Sequence, residues 1–105
     1  MDPLSRVTGA TIDVLSCLVE STEPTWGLQI IKAAARPAGT VYPILERLER
    51  AGWVTSAWED SDDRPGPRRR FYRLTAEGEP AAAAAVAAFR KVEPRRAARV
   101  AEAGA

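Results

Sequence analysis

Residues 39–54 constrain what this chain can fold into more tightly than any other stretch. Val41, Ile44, Leu45 and Leu48 recur at i, i+3, i+4 and i+7, the spacing that lines one stripe of an α-helix for burial. Glu46, Arg47, Glu49 and Arg50 are left for the outer surface. Gly39-Thr40 precedes the run, and Pro43 falls in its opening turn, where a missing N–H costs little. Gly52 can adopt positive φ and stop the helix. The aromatic and β-branched run from Trp53 to Trp58 then reads as a strand. A helix passing directly into a hairpin is the expectation.

The returning half of that hairpin is basic. Glu59, Asp60, Asp62 and Asp63 give way to Arg64, Arg68, Arg69, Arg70 and Arg73. Pro65-Gly66-Pro67 lies between the two blocks and cannot continue a ladder, so it marks the loop. Arg70, Tyr72 and Leu74 alternate with Arg69, Phe71 and Arg73, as a strand requires. Both faces carry an aromatic, and Tyr72 with Leu74 is the preferred inward set. A charge run is usually a solvated strand face, but five arginines close to a hairpin tip suit phosphate binding. The acids of the same loop either repel DNA or clamp the arginines in the free protein. Trp53 and Trp58 read as core or hairpin packing rather than as base-stacking platforms.

The composition excludes several classes of chemistry. One cysteine and no histidine among 105 residues leave no zinc site of ordinary ligands and no histidine-based triad. No phosphate-cradling G-x-x-x-x-G-K loop occurs. Asp60-Ser61-Asp62-Asp63-Arg64-Pro65-Gly66 looks superficially like a calcium loop, but Arg64 stands at a ligand position and Pro65 at the required glycine. We therefore expect no metal, no cofactor and no enzymatic activity. The net charge of +1 is far from that of a protein coating nucleic acid indiscriminately, so local clustering must carry any such binding. No apolar run approaches the ~20 residues of a membrane span. The start lacks a basic–apolar signal pattern, so a cytoplasmic, non-membrane protein is expected.

The remaining segments read as helices. Ile12, Leu15 and either Leu18 or Val19 form an inward stripe, capped by Thr8 or Thr11. Cys17 in that helix reads as a small core hydrophobe rather than a redox-sensing thiol. A second helix starts at Thr25 and turns Leu28, Ile31 and Ala35 inward. After Thr75, a natural N-cap, residues 81–88 have high helix propensity, and Val86, Phe89 and Val92 make a thin apolar stripe. Pro80 falls in the early turns, and Pro94 is expected to break or kink the helix after Val92.

Two blocks resemble the PadR-type transcriptional regulators. The first comprises Thr25-Trp26-Gly27-Leu28, Gly39-Thr40-Val41-Tyr42-Pro43-Ile44-Leu45-Glu46-Arg47-Leu48-Glu49 and Gly52-Trp53-Val54. The second runs from Gly66-Pro67-Arg68-Arg69-Arg70-Phe71-Tyr72-Arg73-Leu74 to Thr75-Ala76-Glu77-Gly78. The resemblance implies a mostly α fold with a small β-hairpin, a winged helix-turn-helix over residues 1–78. Residues 79–105 would form a C-terminal dimerisation helix using Val86, Phe89 and Val92. It further implies operator binding as a homodimer, usually repression, and no catalysis.

On that reading the N-terminal end of the recognition helix meets the major groove of double-stranded DNA. Gly39, Thr40, Tyr42 and Pro43 lie there, Tyr42 donating its hydroxyl to a phosphate or serving only as a half-buried spacer. Arg47 is the candidate for a guanine contact, with a surface ion pair to Glu46 or Glu49 as the rival. Arg64, Gly66, Arg68 and Arg69 form the wing contacts. Lys32 and Arg36 lie near the DNA backbone, or are ordinary solvated charges. Drug-sensing family members line a cavity with tryptophan from the last helix. None stands here, so a planar aromatic effector is not supported, and a small-molecule effector stays unassigned as a partner. The reading from a different class is a winged-helix protein–protein interaction module that binds no DNA.

Overall fold

The computed structural model describes the backbone of residues 1–60 and 65–103 and the side chains of residues 1–60 and 65–92. Four helices and three strands follow in the order α1 (Gly9–Glu20), β1 (Thr25–Trp26), α2 (Gly27–Ala34), α3 (Ala38–Arg50), β2 (Val54–Trp58), β3 (Arg70–Leu74) and α4 (Gly78–Ala103). The strands form one antiparallel sheet in the order β1-β3-β2. No helix among the described residues is long and apolar enough to cross a membrane.

Thr8 proves to be the cap of α1, its hydroxyl accepting from the Thr11 amide at 3.2 Å. Ile12, Val14, Leu15 and Leu18 are buried, whereas Val19 faces solvent. Leu18 thus completes the stripe. Cys17 is half-buried against the core. Burial first, and the Glu20 carboxylate second, push its thiol above the usual range, so it stays protonated at neutral pH.

The expectation for the second helix needs correction. Thr25 does not begin it but pairs with Tyr72 in a two-residue strand, with Trp26 opposite Phe71. The helix starts at Gly27, where the Gln29 side chain accepts from the Trp26 amide at 3.1 Å. Its inward residues are Ile30 and Ala34, while Leu28 and Ala35 are exposed and Ile31 only packs at the margin. The later start makes Gly27 and Ala34 the first and last helical residues, and the stripe shifts with them. Ala35 closes the helix in the left-handed region at φ 55°. A non-glycine residue there costs roughly 1 kcal/mol, and sequence alone gives no sign of it.

Helix α3 starts earlier than its glycine suggested, with Pro37 as N-cap and the Pro37 carbonyl accepting from both Thr40 and Val41. Pro43 is therefore inside the helix and not in its opening turn. It offers no N–H to the Gly39 carbonyl. The expected stripe of Val41, Ile44, Leu45 and Leu48 is buried, and Gly52 ends the helix at φ 86°.

One junction joins α3, the sheet and α4. The Thr75 hydroxyl donates to the Gly52 carbonyl at 2.8 Å and accepts from the Gly78 amide at 2.9 Å. The Thr75 amide donates to the Trp53 carbonyl at 2.9 Å. The side chain thus caps α4 and fastens the end of α3 to it. Replacement by valine keeps the shape but removes the hydroxyl's hydrogen bonds, which should cost about 2 kcal/mol. Thermal melts of Thr75→Val should drop by roughly 8–16 °C, and Thr75→Ser should recover most of that.

Ala82 and Val86 of α4 enter the same core as α1 and α3. Val86 is 5% exposed, Phe89 half-buried and Val92 51% exposed, so Val92 alone of the three stands outward. Arg90 donates to Ser16 Oγ at 2.9 Å and lies 3.9 Å from Glu20, tying α4 to α1. Of the break or kink expected at Pro94, the break does not occur: α4 continues to Ala103. A proline deletes one backbone bond at a cost of about 3 kcal/mol, and the alanines and arginines around it are strong helix formers.

Candidate nucleic-acid interface

Helix α3 has three kinds of surface besides its buried stripe. Pro43, Glu46 and Arg50, at i, i+3 and i+7, are exposed on the ridge opposite the core. Arg50 is held by Glu46 at 2.8 Å, one helical turn away. Sequence reasoning passed over Arg50, although its i+7 spacing from Pro43 was a usable signal.

The flank of α3 toward the sheet carries Tyr42 and Glu49. The Tyr42 ring lies against Gly27 at the start of α2: a Cβ on that glycine would stand 2.9 Å from the phenol oxygen. Tyr42 nevertheless keeps 45% of its surface exposed. Tyr42 thus packs on Gly27 and is still exposed. Glu49 accepts from Ser56 Oγ at 2.8 Å on each carboxylate oxygen and lies 3.8 Å from Arg70 Nη2.

On the opposite flank Arg47 lines a recess between α3 and the N-terminal segment, together with Arg6, Arg50, Asp2 and Thr11. Among the described residues Arg47 makes no ion pair, because Glu46 is taken by Arg50 and Glu49 by Ser56 and Arg70. Arg6 was not singled out from the sequence, and nothing in its local pattern marks it. Thr40 is half-buried and Gly39 exposed at the N-terminal end. No heavy atom would lie within 4 Å of a Cβ on Gly39.

The sheet presents two unlike faces. Val54, Tyr72 and Leu74 turn toward the helices, as preferred from the sequence, and Arg70 lies over the Trp58 ring 5.1 Å from its centroid. Burial raises the Tyr72 phenol above its usual range, with Arg70 acting in the opposite sense. On the outer face Arg69 stacks on Trp26, 4.0 Å from the ring centroid. Its Nε is buried without a hydrogen-bond partner, and its amide donates to Glu59 Oε1 at 3.1 Å. Arg69 therefore lies along the sheet while Gly66, at φ 97°, and Arg68 are exposed at the tip. Trp53 is buried, but Trp58 stays 54% exposed under its arginine. Arg64 lies outside the described residues.

The charges of α2 divide. Lys32 is exposed and makes no ion pair among the described residues. Arg36 is bound by Asp13 of α1 at 2.9 Å, so a carboxylate competes for it.

Residues 14–84 match the transcriptional regulator PadR-like family. The chain belongs to that family. Solved structures of regulators share its winged-helix fold. A PadR family transcription regulator from hypervirulent Clostridium difficile R20291 is 23% identical, with a TM-score of 0.66 over 85% of this chain and 97% of that one. A PadR-like transcription factor from Bacteroides fragilis is 26% identical, with a TM-score of 0.59 over 83% and 87%. Staphylococcus aureus MepR in its DNA-binding conformation is 23% identical with a TM-score of 0.67 over 89% of this chain. The chain spans 66% of that MepR chain, just under two thirds. A comparison with curated proteins found no match.

Proposed function

We propose that this PadR-like regulator binds specific double-stranded DNA as a homodimer and represses transcription from a pseudo-palindromic operator in the cytoplasm. The observation that carries the reading is the outward ridge of α3, flanked on one side by the wing strands that Glu49 reaches and on the other by Arg47 and Arg6. The N-terminal end of α3, with Gly39, Thr40, Tyr42 and Pro43, enters the major groove. Arg47 and Arg50 reach base edges or phosphates, and Arg64, Gly66 and Arg68 meet the flanking backbone. Arg69, lying on Trp26, stiffens the wing more than it projects from it. Lys32 is a freer backbone contact than Arg36. The second copy covers the outer part of α4, where Val92 stands exposed. No catalytic chemistry, metal or cofactor enters this reading.

The test is a footprint of the purified protein on the DNA flanking its own gene. Two protected half-sites about 34 Å apart, or a multiple of that, are expected. Affinity should fall steeply with salt, and Arg68→Ala should weaken binding evenly across sequences while lowering the salt slope by ~1. Affinity that stays flat from low to moderate salt would sink the proposal. The acidic wing loop favours a second reading, a protein-interaction module with this fold. A stable protein complex with no protected DNA site would select it.

A further inference from the structure

Two elements can grip one duplex only if the angle between them is held, because groove and backbone lie at fixed spacing. In this protein a single side chain of α3 reaches both long strands of the wing. The Glu49 carboxylate accepts from Ser56 of β2 and pairs with Arg70 of β3. Ser56 stands opposite Tyr72 and Trp58 opposite Arg70 in the ladder, so Glu49, Ser56, Arg70 and Trp58 meet on the inner face of the sheet. Arg70 is thereby held between a carboxylate and an indole ring.

A carboxylate is an odd group to keep on an element that approaches phosphates. As a direct contact it would repel them. We propose that Glu49 is a positioning residue for DNA binding: it sets the angle between the recognition helix and the wing. The inference rests on the DNA-binding reading above and adds to it what sets the spacing of its contacts.

The sign of one substitution separates positioning from charge. If Glu49 acted only through its charge, Glu49→Gln would strengthen binding to every duplex, and the released Arg70 would steepen the salt dependence. If it positions the wing, Glu49→Gln weakens specific binding alone. The test uses the full chain on duplexes that the wild-type protein enriches from a random-sequence pool, with calf-thymus DNA as the non-specific comparison. Glu49→Gln should lose about fivefold in affinity for the enriched duplexes and nothing on calf-thymus DNA, with the salt slope unchanged. Ser56→Ala leaves every charge in place and should lower the specific-to-non-specific ratio in the same direction. Thermal melts supply the folded fraction, so that loss of fold is not read as loss of positioning.

A Glu49→Gln protein with the wild-type ratio, with tighter binding throughout, or with a slope steeper by about 1 would overturn the positioning role and leave DNA binding standing. Enrichment of no duplex by the wild-type protein would overturn both.

Discussion

Gly78→Ala is expected to lower the melting temperature more than any other single-methyl addition in this chain. The added Cβ would run into the Trp53 carbonyl oxygen, and would stand 2.9 Å from both the Trp53 carbonyl carbon and Thr75 Oγ1. These are backbone and capping atoms at the junction where α3, the sheet and α4 meet, so none can swing aside. Overpacking against such a wall should cost about 3 kcal/mol or more, a shift of roughly 12–24 °C in a domain of this size. Calorimetry or a thermal melt followed by circular dichroism reads it directly. An unchanged melting temperature would mean that α4 does not approach Trp53 as closely as described.

Gly27→Ala should separate fold from function. Its new Cβ would stand 2.9 Å from the Tyr42 phenol oxygen and 3.1 Å from the Cε1 ring carbon. Here the obstacle is the far end of a half-exposed side chain, which can rotate away. Alanine is also the better helix former by about 1 kcal/mol, so stability should change little. The Tyr42 ring, however, would leave its place against the start of α2. Affinity for a specific duplex should then fall by about tenfold, the worth of one good phosphate or positioning contact at ~1.4 kcal/mol. A tenfold loss with an unchanged melt supports the DNA role of Tyr42. Wild-type affinity would reduce it to a spacer on Gly27. The two glycines differ only in what stands beside them.

The same contrast explains what could be read in advance. The α3 stripe, the stop at Gly52, the strand after it and the inward choice of Tyr72 were all available from spacing and residue type. Each depends on neighbours within a turn or a strand pair. One failure has the opposite property. Thr25-Trp26 becomes a strand only because β3 lies beside it, and pairing between residues so far apart leaves no local mark. Helix α3 begins at Ala38, behind Pro37 as N-cap, one residue before Gly39.

The candidate interface divides along the same line. Which residues carry charge near a hairpin tip is a property of the chain, and so is the family to which residues 14–84 belong. Which of those charges are committed elsewhere is not. Arg36 is held by Asp13, Arg70 by Glu49, and Arg69 lies on Trp26, all through partners more than twenty positions away in sequence. Local order therefore determined the buried stripe of α3, its stop at Gly52 and the inventory of cations. Tertiary packing decided the engagement of Arg36, Arg69 and Arg70, because short-range forces act on side chains that folding, not chain order, brings within a few ångströms.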